Sequence, residues 1–288
     1  MGDPEHPVEP ASSPPRKLWA DLAPRVMSAI VMAIAAFAVT YWGGLAFAVF
    51  FGLVSLLIYH EWALMVGEKR AGVPALVGHI SIAGSLIAFY LGAWQAALII
   101  PFIGAGFLWF ARCSYDTARW CAWGILYASI FGLSIISLRA DADYGFAAII
   151  LLFALVWGTD IAAYFSGRLI GGPKLLPRVS PKKTWSGSIG GLTVGTALAL
   201  GAAEMFGIDA TLKLAVLLAF LSIASQLGDL AESHMKRMFD VKDSSNLIPG
   251  HGGVMDRVDG LLVAVVFAAI LGLIFGEGDA LATGFLIW

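Results

Sequence analysis

Four aspartates carried by otherwise apolar stretches, Asp160, Asp229, Asp256 and Asp259, are the residues of this chain most able to do chemistry. A carboxylate in a membrane-spanning helix costs about 2.5–3.5 kcal/mol to insert, so it persists only where something compensates it. Asp229 stands in the series Ser222, Ser225, Gln226, Asp229, Glu232, Ser233, Lys236. Spacing by three and four stacks these along one helical face, which must line a wet cavity or another polar helix. Asp256 and Asp259 are three apart and open an apolar run, so both can point to one place at a helix N-terminus, where acids and anions are favoured. Asp160 follows Trp157-Gly158-Thr159 toward the end of another apolar run. Carboxylates with no neighbouring cysteine and one nearby histidine form a hard oxygen donor set, suited to magnesium rather than zinc or copper.

Magnesium commonly arrives with phosphate, and the flanking segments hold the matching cations. Ser180-Pro181-Lys182-Lys183-Thr184 lies in one, and Lys236-Arg237, Lys242 and Arg257 in the other. Gly250-His251-Gly252-Gly253 offers a backbone able to approach a ligand closely and present N–H groups to phosphate oxygens. Acids, cations and a glycine turn together point to a nucleotide or other polyphosphate meeting a lipid. Taken singly, each has a plainer reading. Lys182-Lys183 serves as topology signal and anionic-lipid contact. Asp229 is a partner for Lys236 or an interfacial residue, and Asp256-Arg257 a local ion pair. His60, Glu61 and His79 read as structural, and Cys113 and Cys121 as ordinary thiols. Gly187, Gly191, Gly195 and Ala199 form a small-residue stripe that packs helices within a subunit or across a homodimer.

The elements that must position these groups follow from composition. With 59% hydrophobic and only 13% charged residues, a soluble globular enzyme is excluded, and long aliphatic runs exclude disorder. An all-α polytopic integral membrane protein is the expectation, with about nine transmembrane helices at 26–42, 44–65, 73–91, 94–111, 119–138, 144–166, 187–206, 211–230 and 258–275. Placing the N-terminus in the cytoplasm puts all but Arg139 and Lys213 of the 18 basic residues on the inner face. Residues 1–24, with half of the twelve prolines, read as a flexible cytoplasmic tail and not as a signal peptide. Residues 25–143 read as transmembrane scaffold, and 144–288 as the catalytic region with cytoplasmic loops 167–186 and 231–257. A bacterial inner membrane with the active face cytoplasmic is expected, and no nucleic-acid partner.

The run Ser233-His234-Met235-Lys236-Arg237, then Lys242-Asp243, then His251-Gly252-Gly253-Val254-Met255-Asp256-Arg257-Val258-Asp259 resembles the signature of the phosphatidate cytidylyltransferases, or CDP-diacylglycerol synthases. Such a spaced match is highly specific. The resemblance extends upstream to Trp157-Gly158-Thr159-Asp160, Tyr164-Phe165-Ser166-Gly167 and Ser180-Pro181-Lys182-Lys183-Thr184-Trp185, about the last 130 residues by the spacing of these motifs. Ser186 stands where the family often has glutamate. The resemblance implies transfer of the cytidylyl group of CTP to phosphatidate, with Mg2+ and a monovalent cation such as K+ as cofactors. It further implies a metal held by Asp229, Asp256, Asp259 and Asp160, and phosphates neutralised by Lys182, Lys183, Lys236, Arg237 and Arg257. Ser180, Thr184, Lys242, Asp243, His251, Gly252 and Gly253 complete the implied substrate site. Two rivals are a CTP-dependent polyprenol kinase and an ion-coupled transporter. The transporter should show matching repeats in its two halves, whereas here the acids cluster late.

Overall fold

Inside hydrocarbon each backbone N–H and C=O must be satisfied within its own segment, so the apolar runs of this chain become helices. A computed structural model describes residues 18–68, 72–110, 115–245, 247–248, 252–276, 278 and 280–287. In chain order the helices are α1 (Leu18–Trp42), α2 (Gly44–Met65), α3 (Val73–Tyr90), α4 (Trp94–Phe110), α5 (Tyr115–Ala140), α6 (Gly145–Leu169), α7 (Trp185–Met205), α8 (Leu212–Met238), α9 (Met255–Phe275) and the short α10 (Leu281–Leu286). Seven of them, α2, α3, α5, α6, α7, α8 and α9, are long and apolar enough to cross a membrane. The remaining two expected spans fall on shorter apolar helical stretches, Val26–Trp42 of α1 and Trp94–Phe110 of α4. The chain is therefore an all-α polytopic membrane protein.

α5 is the most enclosed of the spanning helices. Its Ile125, Phe131 and Ile135 are wholly buried in a core shared with Phe47, Phe51 and Tyr59 of α2 and Phe153 of α6. Apolar side chains such as Ile80, Phe102, Ile103, Leu198 and Leu273 face outward, as lipid contact requires. Within α4, Pro101 cannot donate to Ala97 O, and Ser85 Oγ of α3 donates to that carbonyl instead, at 2.6 Å. At one end of the bundle Arg139 Nε, in the last turn of α5, donates to Thr40 O at the end of α1, at 2.8 Å. Nearby, Asp141 accepts from the N–H groups of Asp143, Tyr144 and Thr283, tying the start of α6 to α10. Burial pushes the Asp141 carboxyl up, but these donors outweigh it and hold it below the ordinary carboxylate value.

The glycine stripe settles onto α6. Gly187, Gly191, Gly195 and Ala199 are buried, and a Cβ at Gly191 would stand 2.7 Å from Thr159 O and one at Gly195 2.8 Å from Leu155 O. Only hydrogen at these positions lets the two backbones come so close. The stripe thus packs helices within the subunit and does not supply a homodimer face.

Three boundaries differ from the sequence reading. α1 begins at Leu18, so residues 18–24 of the expected tail are helical, while 1–17 lie outside the described residues. The expected loop 167–186 is largely structured: α6 runs to Leu169, and an antiparallel hairpin of β1 (Lys174–Leu176) and β2 (Ser180–Thr184) leads into α7. The expected loop 231–257 shrinks because α8 continues to Met238, with Lys236 and Arg237 in its last turn, where cations suit the helix dipole.

Candidate active site

The hairpin, the C-terminal half of α6, the start of α7 and the C-terminal half of α8 border an open cavity of about 530 Å³. α6 lends Asp160, Tyr164 and Arg168 to its wall, the hairpin Lys174, Lys182, Lys183 and Thr184, the start of α7 Ser188, and α8 Gln226 and Asp229. Local sequence explains the arrangement. Thr184 caps α7 by accepting from Gly187 N at 3.1 Å, which places Lys182 and Lys183 just before the helix. Ser186, in the place of the family's frequent glutamate, donates to Gly171 O and bonds Thr184 Oγ1 at 3.1 Å, closing the hairpin rather than lining the cavity. Across the cavity Lys183 Nζ bonds Asp229 Oδ2, and Ser188 Oγ donates to Gln226 Oε1 at 2.5 Å. Asp160 lies within electrostatic reach of Asp229, Lys183 and Arg257.

One turn further along α8 is a second, drier cluster. Lys236 Nζ sits 2.6 Å from Asp256 Oδ1 and 3.0 Å from Glu232 Oε1, and the Glu232 and Asp256 side chains are nearly enclosed, at 1% and 5% exposure. Neither Glu232 oxygen makes a well-aligned hydrogen bond among the described residues, so charge alone holds it to the lysine. Asp256 Oδ2 accepts from Ser244 N and Ser244 Oγ, both at 2.9 Å, and from Gly253 N at 2.8 Å. Ser244 Oγ also lies 3.1 Å from Glu61 Oε2 of α2, whose carboxylate reaches the start of α9. The loop glycines are dictated by these neighbours: Gly252 has φ 81°, and a Cβ at Gly253 would meet Ser244 Oγ at 1.9 Å.

The sequence-derived residues therefore separate into groups. Asp160, Asp229, Lys182, Lys183 and Thr184 share the cavity. Lys236, Asp256 and Gly253 share the buried cluster, where Gly253 N–H serves Asp256 rather than standing free for a phosphate. Asp229 pairs with Lys183 of β2 and not with Lys236, which lies about two helical turns on and is engaged by Glu232 and Asp256. Asp259 accepts Gly260 N at 2.7 Å and lies within electrostatic reach of Glu232, Asp229 and Asp160. Ser180 opens β2 opposite Leu176. Arg237 is exposed and donates to Val241 O at 3.2 Å, and Lys242, Asp243 and Arg257 are exposed too. Gly252 carries the turn, while His251 and Cys113 lie outside the described residues.

Sequence reasoning passed over Arg168, Lys174 and Ser188 as wall residues; it set Gln226 on a cavity-lining face of α8 and Tyr164 in a family motif, but did not name Glu232 as the second acid on Lys236. Glu232 was findable, being three residues after Asp229 and four before Lys236 on the polar face of α8. Glu61 with Ser244 and Ser245 had no such signal, since contacts spanning more than 180 residues leave no local period.

Among the described residues no three His, Cys, Asp or Glu side chains converge closely enough to cage an ion. Magnesium rarely asks for such a cage: it usually takes one or two carboxylates and completes its shell with water and substrate phosphates. Asp160 and Asp229 on the cavity wall fit that requirement, whereas Asp256 and Asp259 do not line the cavity.

Carboxylates and lysines converge on a cavity among the helices of a membrane protein, a setting suited to an anionic substrate. The description "Cytidylyltransferase family" matches residues 23–275, and the chain belongs to that family. It is 41% identical over 268 residues to a Brucella abortus protein named phosphatidate cytidylyltransferase, covering 92% of this chain and 98% of that one. A Brucella suis protein of the same name is 42% identical over 262 residues, covering 90% and 96%. One from Staphylococcus aureus is 31% identical over 258 residues, covering 86% and 97%. The match thus spans both halves, including the N-terminal half that carries no signature motif.

Proposed function

We propose that this protein transfers the cytidylyl group of CTP to phosphatidate, giving CDP-diacylglycerol and pyrophosphate. The observation that carries the reading is the cavity on which Lys174, Lys182, Lys183 and Arg168 face Asp160 and Asp229. The phosphatidate oxygen attacks the α-phosphorus of CTP, the α–β phosphoanhydride bond breaks, and pyrophosphate leaves. The second pKa of a phosphate monoester is about 6, so the attacking oxygen is largely deprotonated near neutral pH and no strong base is required. What the reaction needs is two mutually repelling anions brought into line, and the lysines and Arg168 supply that neutralisation.

Asp160 and Asp229 would hold Mg2+, which when bound screens the phosphate charge and orients the leaving pyrophosphate. The Lys183–Asp229 pair keeps both side chains directed at the cavity before ligands arrive. Lys236 and Asp256 brace the signature loop beside it. A monovalent cation such as K+ and a seat on the cytoplasmic face of a bacterial inner membrane belong to the same proposal. The signature disfavours the polyprenol kinase, and the clustering of the acids late in the chain disfavours the transporter.

The test incubates detergent-purified protein with labelled CTP, phosphatidate and Mg2+, with and without chelator and with K+ replaced by tetramethylammonium, followed by lipid extraction. Label from the α-phosphate should enter the lipid fraction and fall to background with chelator. Label arriving from the γ-phosphate instead would mean kinase chemistry and refute the reading.

A further inference from the structure

Glu61 sits in the half of the chain whose sequence reads as scaffold, yet its carboxylate is built into the signature loop. It is 1% exposed. Oε1 accepts from Ser245 Oγ at 2.6 Å and Val254 N at 2.8 Å, and Oε2 from Ser244 Oγ at 3.1 Å and Met255 N at 2.7 Å. No lysine or arginine forms a salt bridge with it among the described residues. Its charge is balanced by four donors, two of them at the N-terminus of α9, where the helix dipole favours an anion. α9 lacks a side-chain cap of its own: Val254 at the capping position makes no such bond. The anion-favouring helix end that the sequence offers to substrate is thus already filled by a residue of this chain.

The contact also reaches Asp256. The single Ser244 hydroxyl proton is shared between Glu61 Oε2 and Asp256 Oδ2, while Ser244 N and Gly253 N donate to that same aspartate oxygen. Gly253 admits no side chain, because a Cβ would lie 2.5 Å from Glu61 Oε2. We infer that Glu61 is a positioning residue for the cytidylyl transfer: by capping α9 and holding Ser244 and Ser245, it fixes the Asp256–Lys236 cluster and with it the signature loop. The inference rests on reading the signature loop as part of the reaction site.

The experiment compares wild type, Glu61→Gln and Glu61→Asp in detergent, measuring kcat, KM for CTP, melting temperature and hydrogen exchange of residues 241–256. Glutamine presents an amide donor to a pocket made of donors. Exchange in that segment should accelerate, and kcat should fall by about 100-fold, the scale of a misplacement near 1 Å, with KM for CTP little changed. Aspartate keeps the charge and should fall between the two. Ser245→Ala, which retains the carboxylate and loses one donor, supplies the same comparison with a milder change should the glutamine variant not fold. Tyr59→Phe is the control for plain helix packing: it removes a 2.7 Å bond to Pro74 O from the same helix without touching the loop.

Wild-type exchange and kcat in Glu61→Gln, or an equal kcat loss in Tyr59→Phe at matched melting temperature, overturns the inference. Full activity in Asp256→Asn would instead refute the reading of the loop as reaction site, while the exchange data would still judge whether Glu61 holds the loop.

Discussion

Removing the Lys236 charge while keeping most of its apolar stem, as Lys236→Met does, leaves Glu232 and Asp256 facing each other across a space nearly closed to water. Asp256 retains the Ser244 and Gly253 donors, but Glu232 retains no hydrogen-bond partner among the described residues. Breaking a buried ion pair by deleting one partner costs about 3–5 kcal/mol, because the other charge stays buried and uncompensated. For a chain of this size 1 kcal/mol corresponds to roughly 2–4 °C, so the melting temperature should drop by roughly 6–20 °C. The penalty is assigned to the stranded acid, so Lys236→Met with Glu232→Gln should recover much of it. A coupling of about 1–3 kcal/mol between the two changes is expected for residues in direct contact. The assay is thermal unfolding of detergent-purified protein followed by tryptophan fluorescence, on wild type, both single variants and the double. A Lys236→Met variant melting within about 2 °C of wild type, the equivalent of about 1 kcal/mol or less, would show that the cluster is wet and the reasoning wrong. Strictly additive single effects would show the same.

Lys183→Ala should lower kcat/KM for CTP by about 100-fold, the scale of losing one preorganised charge on a reacting phosphate, with folding intact in size-exclusion chromatography; unchanged kinetics would remove the cavity from the reaction. Gly195→Leu forces a side chain into Leu155 O and Thr159 Oγ1, and overpacking of this kind costs at least about 1–3 kcal/mol, seen as reduced melting temperature and yield of monodisperse protein. Asp141 provides a pH signature. Because its folded-state pKa is depressed, its stabilisation is present above the unfolded value and disappears as pH falls through the folded one. Asp141→Asn should therefore be less stable than wild type at pH 7, and the gap should close as pH drops below about 4; a gap independent of pH would count against the hydrogen-bonded carboxylate.

Much of this architecture is legible in the chain because lipid imposes a strict rule: an apolar run of sufficient length becomes a helix, and the basic residues mark one face. Asp160 and Asp229 were likewise visible as costly groups in apolar surroundings, and Lys182-Lys183 as the cations of a flanking polar segment. The hairpin was not. Its strands, Lys174–Leu176 and Ser180–Thr184, are too short and too polar to show alternation, so they look like loop until paired. The division of the acids into a cavity set and a buried set was also hidden, since helical spacing gives direction but not which neighbour arrives. Asp229 met Lys183 from a hairpin, and Asp256 met Lys236 from a neighbouring helix. Glu61 was the hardest to see, because a buried acid at the end of an apolar helix looks the same whether it serves its own helix or one nearly two hundred residues away.

The seam between α6 and α7 constrains how a bulky ligand can be admitted. With hydrogen atoms alone separating the strips of backbone at Gly187, Gly191 and Gly195, these two rods behave as a welded plank, since prying them apart would forfeit close packing along the whole seam. Room for a guest that is part sugar-phosphate and part oil then has to come from the chamber's other borders, α8 and the hairpin.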